Sequence, residues 1–338
     1  MPRPVRCSIV RRSSIPGLAL LALASLALSS EQGEAQEKGP RLSLPVDCAL
    51  GSECFVQQAP DMDGGPGVAD PFCGTAAYDG HTGTDFRVRS LADMARGVDV
   101  IAAAPGTVLR ARDGEPDRML RNDDPASVEG RECGNGVLID HGAFQTLSCH
   151  LRAGSVRVRP GDEVARGEPI GEIGASGLAQ FPHVEFGVLR GEDEHLDPFT
   201  GRTVGGGCAG EGERVEPLWD EATAEKVGRP GTRLLDVGLA DGPVSADALA
   251  EFGPPARPDG SGAAVVYGWA INLRDGDRMR LVLENAAGDT IATHEAAIEG
   301  RKAQWVAFAG SRDPGKGPFR GRVEVLREGE VVASGAAE

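Results

Sequence analysis

Gly80-His81-Thr82-Gly83-Thr84-Asp85-Phe86 is the stretch from which the rest of this sequence can be read. A histidine and an aspartate stand four residues apart with a glycine between them, so the backbone can bend and aim both side chains at one ion. An imidazole nitrogen and a carboxylate oxygen both suit zinc, at about 2.0–2.2 Å. Many loops carry such a pair by chance, so its meaning depends on what surrounds it. Six histidines occur in the 338 residues, and four of them fall between His81 and His183.

Around this stretch the signals are those of short strands. Gly (48) and Pro (23) are abundant and aromatic residues are few (4%), a composition of turns and strands rather than long helices. Val100–Ala103, Gly106–Arg110, Ser155–Arg159, Pro169–Ile173 and His183–Leu189 read as strands, the last alternating apolar with polar. Ser90 to Arg96 reads as a short helix capped by Ser90 and ended by Gly97. Val137–Asp140 and Thr146–His150 form a hairpin turning at His141–Phe144, which sets Cys133 nearly opposite Cys149 and predicts a disulfide. His150 then ends a strand. His183 and Glu185 lie two apart in another and share a face.

Here the sequence resembles the lysostaphin/LytM-type zinc metallopeptidases, the peptidoglycan endopeptidases. That family carries H-x-x-x-D, a late A-H-L and a final H-x-H. By position, His81 and Asp85 match the first two metal ligands, and Cys149-His150-Leu151 matches the late segment. His183 matches the first histidine of the last motif, and Glu185 stands where the family has its last histidine ligand. Asp140-His141-Gly142, Val158–Val164 and Gly167–Gly171 follow the family's order as well. The resemblance implies an all-β fold built on an antiparallel sheet, with Zn2+ held by His81, Asp85 and Glu185. It also implies that His150 and His183 are catalytic, assisting an attacking water. The metal set would hold two carboxylates, which weakens zinc as a Lewis acid and suits harder cations better. His141 is expected to be structural, and His195 and His294 to be solvated.

The resemblance covers about residues 79–200, and the domain is expected at residues 80–205. Residues 1–35 read as an export signal: Arg3, Arg6, Arg11 and Arg12 precede an apolar run, Ile15 to Leu28, too short to span a membrane comfortably. An uncleaved anchor is the alternative. Residues 36–79 are an irregular, cysteine-containing lead-in, and residues 206–230 a Gly-rich and charged linker. Residues 231–338 show six or so short strands with regular turns, a C-terminal β-sandwich with Trp269 and Trp305 in its core. The six cysteines beyond the signal suit disulfides in an oxidising compartment, the periplasm or cell envelope.

Acidic residues (51) outnumber Lys and Arg (35), which argues against nucleic acid as a partner. The function implied is an exported metalloendopeptidase whose partner is a peptidoglycan peptide. Two alternatives stand beside it. One is a non-catalytic regulator or scaffold that binds a cell-wall amidase or wall polymer through the same groove. The other is a wall-binding module acting through the sandwich. Fold alone does not choose among them.

Overall fold

The computed structural model describes residues 41–120, 125–258 and 262–338. The export signal expected at residues 1–35 lies outside the described residues. No helix among the described residues is long and apolar enough to cross a membrane.

Ten strands build the N-terminal part: β1 (Cys54–Val56), β2 (Thr84–Val88), β3 (Asp99–Ile101), β4 (Gly106–Arg112), β5 (Asn135–Asp140), β6 (Gln145–Leu151), β7 (Glu163–Val164), β8 (Pro169–Glu172), β9 (His183–Arg190) and β10 (Glu194–Leu196). Eight of them form one sheet in the order β1-β2-β9-β6-β5-β4-β7, with β10 on β9; β3 and β8 pair separately. All neighbours run antiparallel. The core beneath the sheet gathers Phe86, Val88, Ile139, Leu151, Val184 and Phe186. Helix α1 (Leu91–Ala95) starts at Ser90, whose side chain accepts from the Asp93 amide as the sequence predicted.

Two expectations about segments need amending. Ser155–Arg159 alternates but enters no ladder. It is held by single bonds, such as Arg157 N–H to the Ile170 carbonyl. Residues 206–230 are not loose chain: Cys208 is bridged to Cys73, helix α2 (Glu221–Val227) follows, and Trp219 packs in the first core against Phe86, Phe186 and Phe199.

The C-terminal part is a β-sandwich, as expected. One sheet orders β11 (Arg233–Ala240), β12 (Ala264–Leu273) and β15 (Lys302–Ser311) as β11-β12-β15. The other orders β13 (Arg278–Asn285), β14 (Thr290–Ala297), β16 (Phe319–Arg327) and β17 (Glu330–Ala337) as β14-β13-β16-β17. Met279, Leu281 and Leu283 alternate inward and meet Val266, Val323 and Val325.

Every residue of β12 is buried, because this strand is covered on both faces. Val266 and Ala270 face the second sheet. Val265, Tyr267, Trp269 and Ile271 face the other way, into a cluster shared with Phe55 of β1 and with α3 (Ala246–Phe252). Trp269 is therefore core, as predicted. Trp305 is not: it shares a face with Ala307 and Ala309 but lies beyond the last covered position, 38% exposed.

The two parts meet around Arg87, which is wholly buried. Its guanidinium donates to the Gln57 side chain, to the Val88 and Arg89 carbonyls and, at 3.4 Å, to Gln304 of the sandwich. It also stacks against Phe181 and Trp269. Asn272, in the left-handed conformation that asparagine tolerates, donates to the Gln57 carbonyl.

Candidate metal and catalytic site

The register of the large sheet builds the site. Asp85 of β2 lies directly opposite Glu185 of β9, and Arg87 opposite His183. Directly opposed residues project to one face, so Asp85, His183 and Glu185 share it. Gly83 makes room: a Cβ there would sit 2.6 Å from Glu185 Cγ, so this glycine lets the glutamate lie over the loop. The loop before β2 is braced by Asp61, which is buried, accepts from the Gly80 amide and donates its own amide to the His81 carbonyl. Asp61 is a positioning residue that the sequence did not single out.

His150 reaches the same face by a different route. In a regular strand it would point away from Cys149, whose partner across the ladder is Glu185. Between Asn135 and Val137 the β5–β6 register slips, so that Cys149 and His150 together oppose Gly136. This is a β-bulge, and His150 takes a φ of 62° within it. The bulge turns the imidazole back toward β9. The Cys133–Cys149 disulfide, with Cα atoms 4.8 Å apart, anchors the bulge and confirms the predicted pairing. Cys48–Cys54 and Cys73–Cys208 complete the set.

All five residues singled out from the sequence thus come together. His81 Nε2 lies 3.3 Å from Asp85 Oδ1, and His183 Nε2 3.8 Å from the same oxygen. His150 Nε2 lies 3.4 Å from Glu185 Oε2, and His81 Nδ1 3.8 Å from Glu185 Oε1. The His150 and His183 rings are 4.6 Å apart. Each of those two rings has its Nδ1 within 2.8 Å of a carbonyl, that of Ser176 for His150 and Phe181 for His183. A carbonyl only accepts, so Nδ1 carries a proton in each ring and Nε2 faces the site. Tyr78, absent from the sequence reading, stacks on His81 at 4.3 Å.

Burial, opposed by Asp85, pushes His183 down to about 4, so it is neutral at neutral pH. Burial also disfavours charge on His81, but Asp85 and Glu185 outweigh it and hold its pKa up. Burial pushes Glu185 up, yet His150 and His81 win and keep it ionised. Within this group, His81 Nδ1, His81 Nε2 and Asp85 Oδ1 are buried and make no hydrogen bond. Buried polar atoms without partners are rare and call for a cause. A cation is one that fits these donors: zinc bonds at tetrahedral angles put its ligand atoms about 3.4 Å apart, near the His81–Asp85 spacing. Among the described residues, no three donors yet stand at coordination spacing, because His81 offers a different nitrogen to each carboxylate.

His141 is structural, as expected, with its ring between the Pro105 carbonyl and Thr146. His294 is exposed, but His195 is only half-exposed, on β10.

Residues 79–198 match the model described as peptidase family M23. Several solved structures share part of the chain. A point mutant of the catalytic domain of the prophage-encoded M23 protein EnpA from Enterococcus faecalis is 22% identical, over 43% of this chain and 90% of that one, with a TM-score of 0.28. The catalytic domain of the antimicrobial peptidase lysostaphin from Staphylococcus simulans is 20% identical over 44% and 89%, with a TM-score of 0.28. A zinc-containing peptidase from Vibrio cholerae is 24% identical over 46% and 39%, with a TM-score of 0.32. No curated protein matches the sequence at a significant level.

Proposed function

We propose that this protein is an exported zinc metalloendopeptidase acting on the peptides of peptidoglycan. The observation that carries this is the unpartnered state of His81 Nδ1, His81 Nε2 and Asp85 Oδ1 in a buried cluster. Leaving a buried donor or acceptor unmade costs about 1–3 kcal/mol, which a bound cation offsets. His81, Asp85 and Glu185 would hold it. When bound, zinc supplies Lewis acidity, polarising a carbonyl and making water more acidic. The Nε2 atoms of His150 and His183 are placed to take a proton from an attacking water and return it to the leaving amine. The three disulfides fit an oxidising compartment outside the cytoplasm.

The spread of the donors favours a second reading, a regulator that binds a cell-wall amidase or wall polymer through this cleft without cutting. Zinc content and digestion of purified peptidoglycan separate the two. Wild type should hold zinc and release peptides. His81→Ala should lose both, and Glu185→Ala should bind zinc at least tenfold more weakly. Glu185→His should bind it more tightly than wild type, because it restores two imidazoles. Equal, negligible zinc in wild type and Glu185→Ala rules out the ligand role and leaves the regulator.

A further inference from the structure

The sandwich does more than pack against the catalytic sheet. A cleft of about 520 Å³ runs between them, with Asp85 and His183 at its floor. One wall comes from the sheet's own loop, with Leu178 and Phe181 flanking Gln180. The facing wall comes from the start of β15 and carries Arg301, Lys302 and Gln304. Asp85 is the only acidic residue lining the cleft among the described residues, although the chain carries a net charge of −16. Neither Arg301 nor Lys302 makes an ion pair with a described residue, whereas other sandwich arginines, such as Arg278, Arg280 and Arg322, are paired. The Lys302 ammonium lies 5.4 Å over the Trp305 ring, which holds the charge near the cleft without neutralising it.

We propose that the cleft is a substrate subsite in which Arg301 and Lys302 receive a carboxylate of an acidic peptide while its apolar side chain lies on Leu178 and Phe181. This rests on the peptidase reading above and names its substrate class. The carboxylate comes from a free C-terminus or from an acidic side chain, and both would pair with the two cations in the same way. The sandwich thus supplies specificity to a reaction whose proton-handling groups all lie on the other part.

Binding is measured on the full mature chain, stripped of metal with a chelator so that no cleavage occurs. Three fluorescent alanine–leucine hexapeptides serve as probes. One has a free C-terminus, one is amidated, and one is amidated with an internal glutamate. At low salt, at least one carboxylate-bearing probe should bind about tenfold more tightly than the neutral probe. Which of them does so identifies the source of the carboxylate. The advantage should shrink with salt, disappear in Arg301→Ser/Lys302→Ser, and survive in Lys302→Arg. In the zinc-loaded enzyme the double variant should raise KM and leave kcat nearly unchanged. Equal binding of all three probes, or an advantage that persists in the double variant, overturns the subsite. The two proposals fail separately. Carboxylate-dependent binding without any hydrolysis would sink the peptidase and keep the subsite, and hydrolysis without carboxylate preference would do the reverse.

Discussion

The N-terminal sheet and the sandwich each bury an aspartate, and they satisfy it differently. In the sandwich, Asp277 is buried but takes a two-pronged contact from Arg327 at 2.8 and 2.7 Å and the Arg274 amide at 2.8 Å. Thr232 donates to the Asn272 carbonyl. In the N-terminal sheet, His81 and Asp85 are buried as deeply, yet both ring nitrogens of His81 and Oδ1 of Asp85 make no hydrogen bond. Satisfied burial holds a fold together. Unsatisfied burial calls for a cause, and for His81 and Asp85 the proposed one is a bound cation.

The contrast can be broken by substitution. Asp277→Ala leaves the half-buried Arg327 guanidinium without its partner and should cost about 3–5 kcal/mol, seen as a lower urea midpoint. A cost under about 1 kcal/mol would mean that the sandwich does not rely on its buried pair. Removing the bridge with Cys133→Ser/Cys149→Ser releases a closed loop with a sequence separation of 16, and should cost about 3 kcal/mol in oxidised protein. Reductant should abolish the difference between variant and wild type; a difference that survives it would place the effect in packing. The smallest effect is expected at the site itself. Asp85→Asn in metal-free protein should change stability by less than about 1 kcal/mol, because relieving a buried charge is offset by losing its ion pair with His81. The same variant should lose zinc. A destabilisation like that of Asp277→Ala would show that Asp85 belongs to the fold rather than to an ion.

What the sequence disclosed follows a physical rule. The β5–β6 hairpin, its disulfide and the Ser90 cap were legible because each is set by residues close in the chain. His183 and Glu185 could be placed on one face because β9 is a regular strand. That His150 joins them was legible only by resemblance, since the bulge that turns it depends on a register slip no local pattern shows. Trp305 misled because alternation reports a face and not where the cover on that face ends. Arg87 gave no signal, as its burial arises from the meeting of two parts far apart in sequence.

The position of β9 bears on how this molecule comes to exist. It is the last long strand of its sheet in chain order, yet it lies between β2 and β6, pairing with strands made much earlier. Closing such distant contacts is slow, because the loop entropy is lost before the pairing is gained. His183 and Glu185 arrive only with that strand. Until it slots in, the chain holds half a centre, His81 and Asp85 on one side and His150 on the other, with nothing between them. Insertion of β9 therefore completes the cluster, and a nascent chain has no assembled site until the N-terminal part is complete.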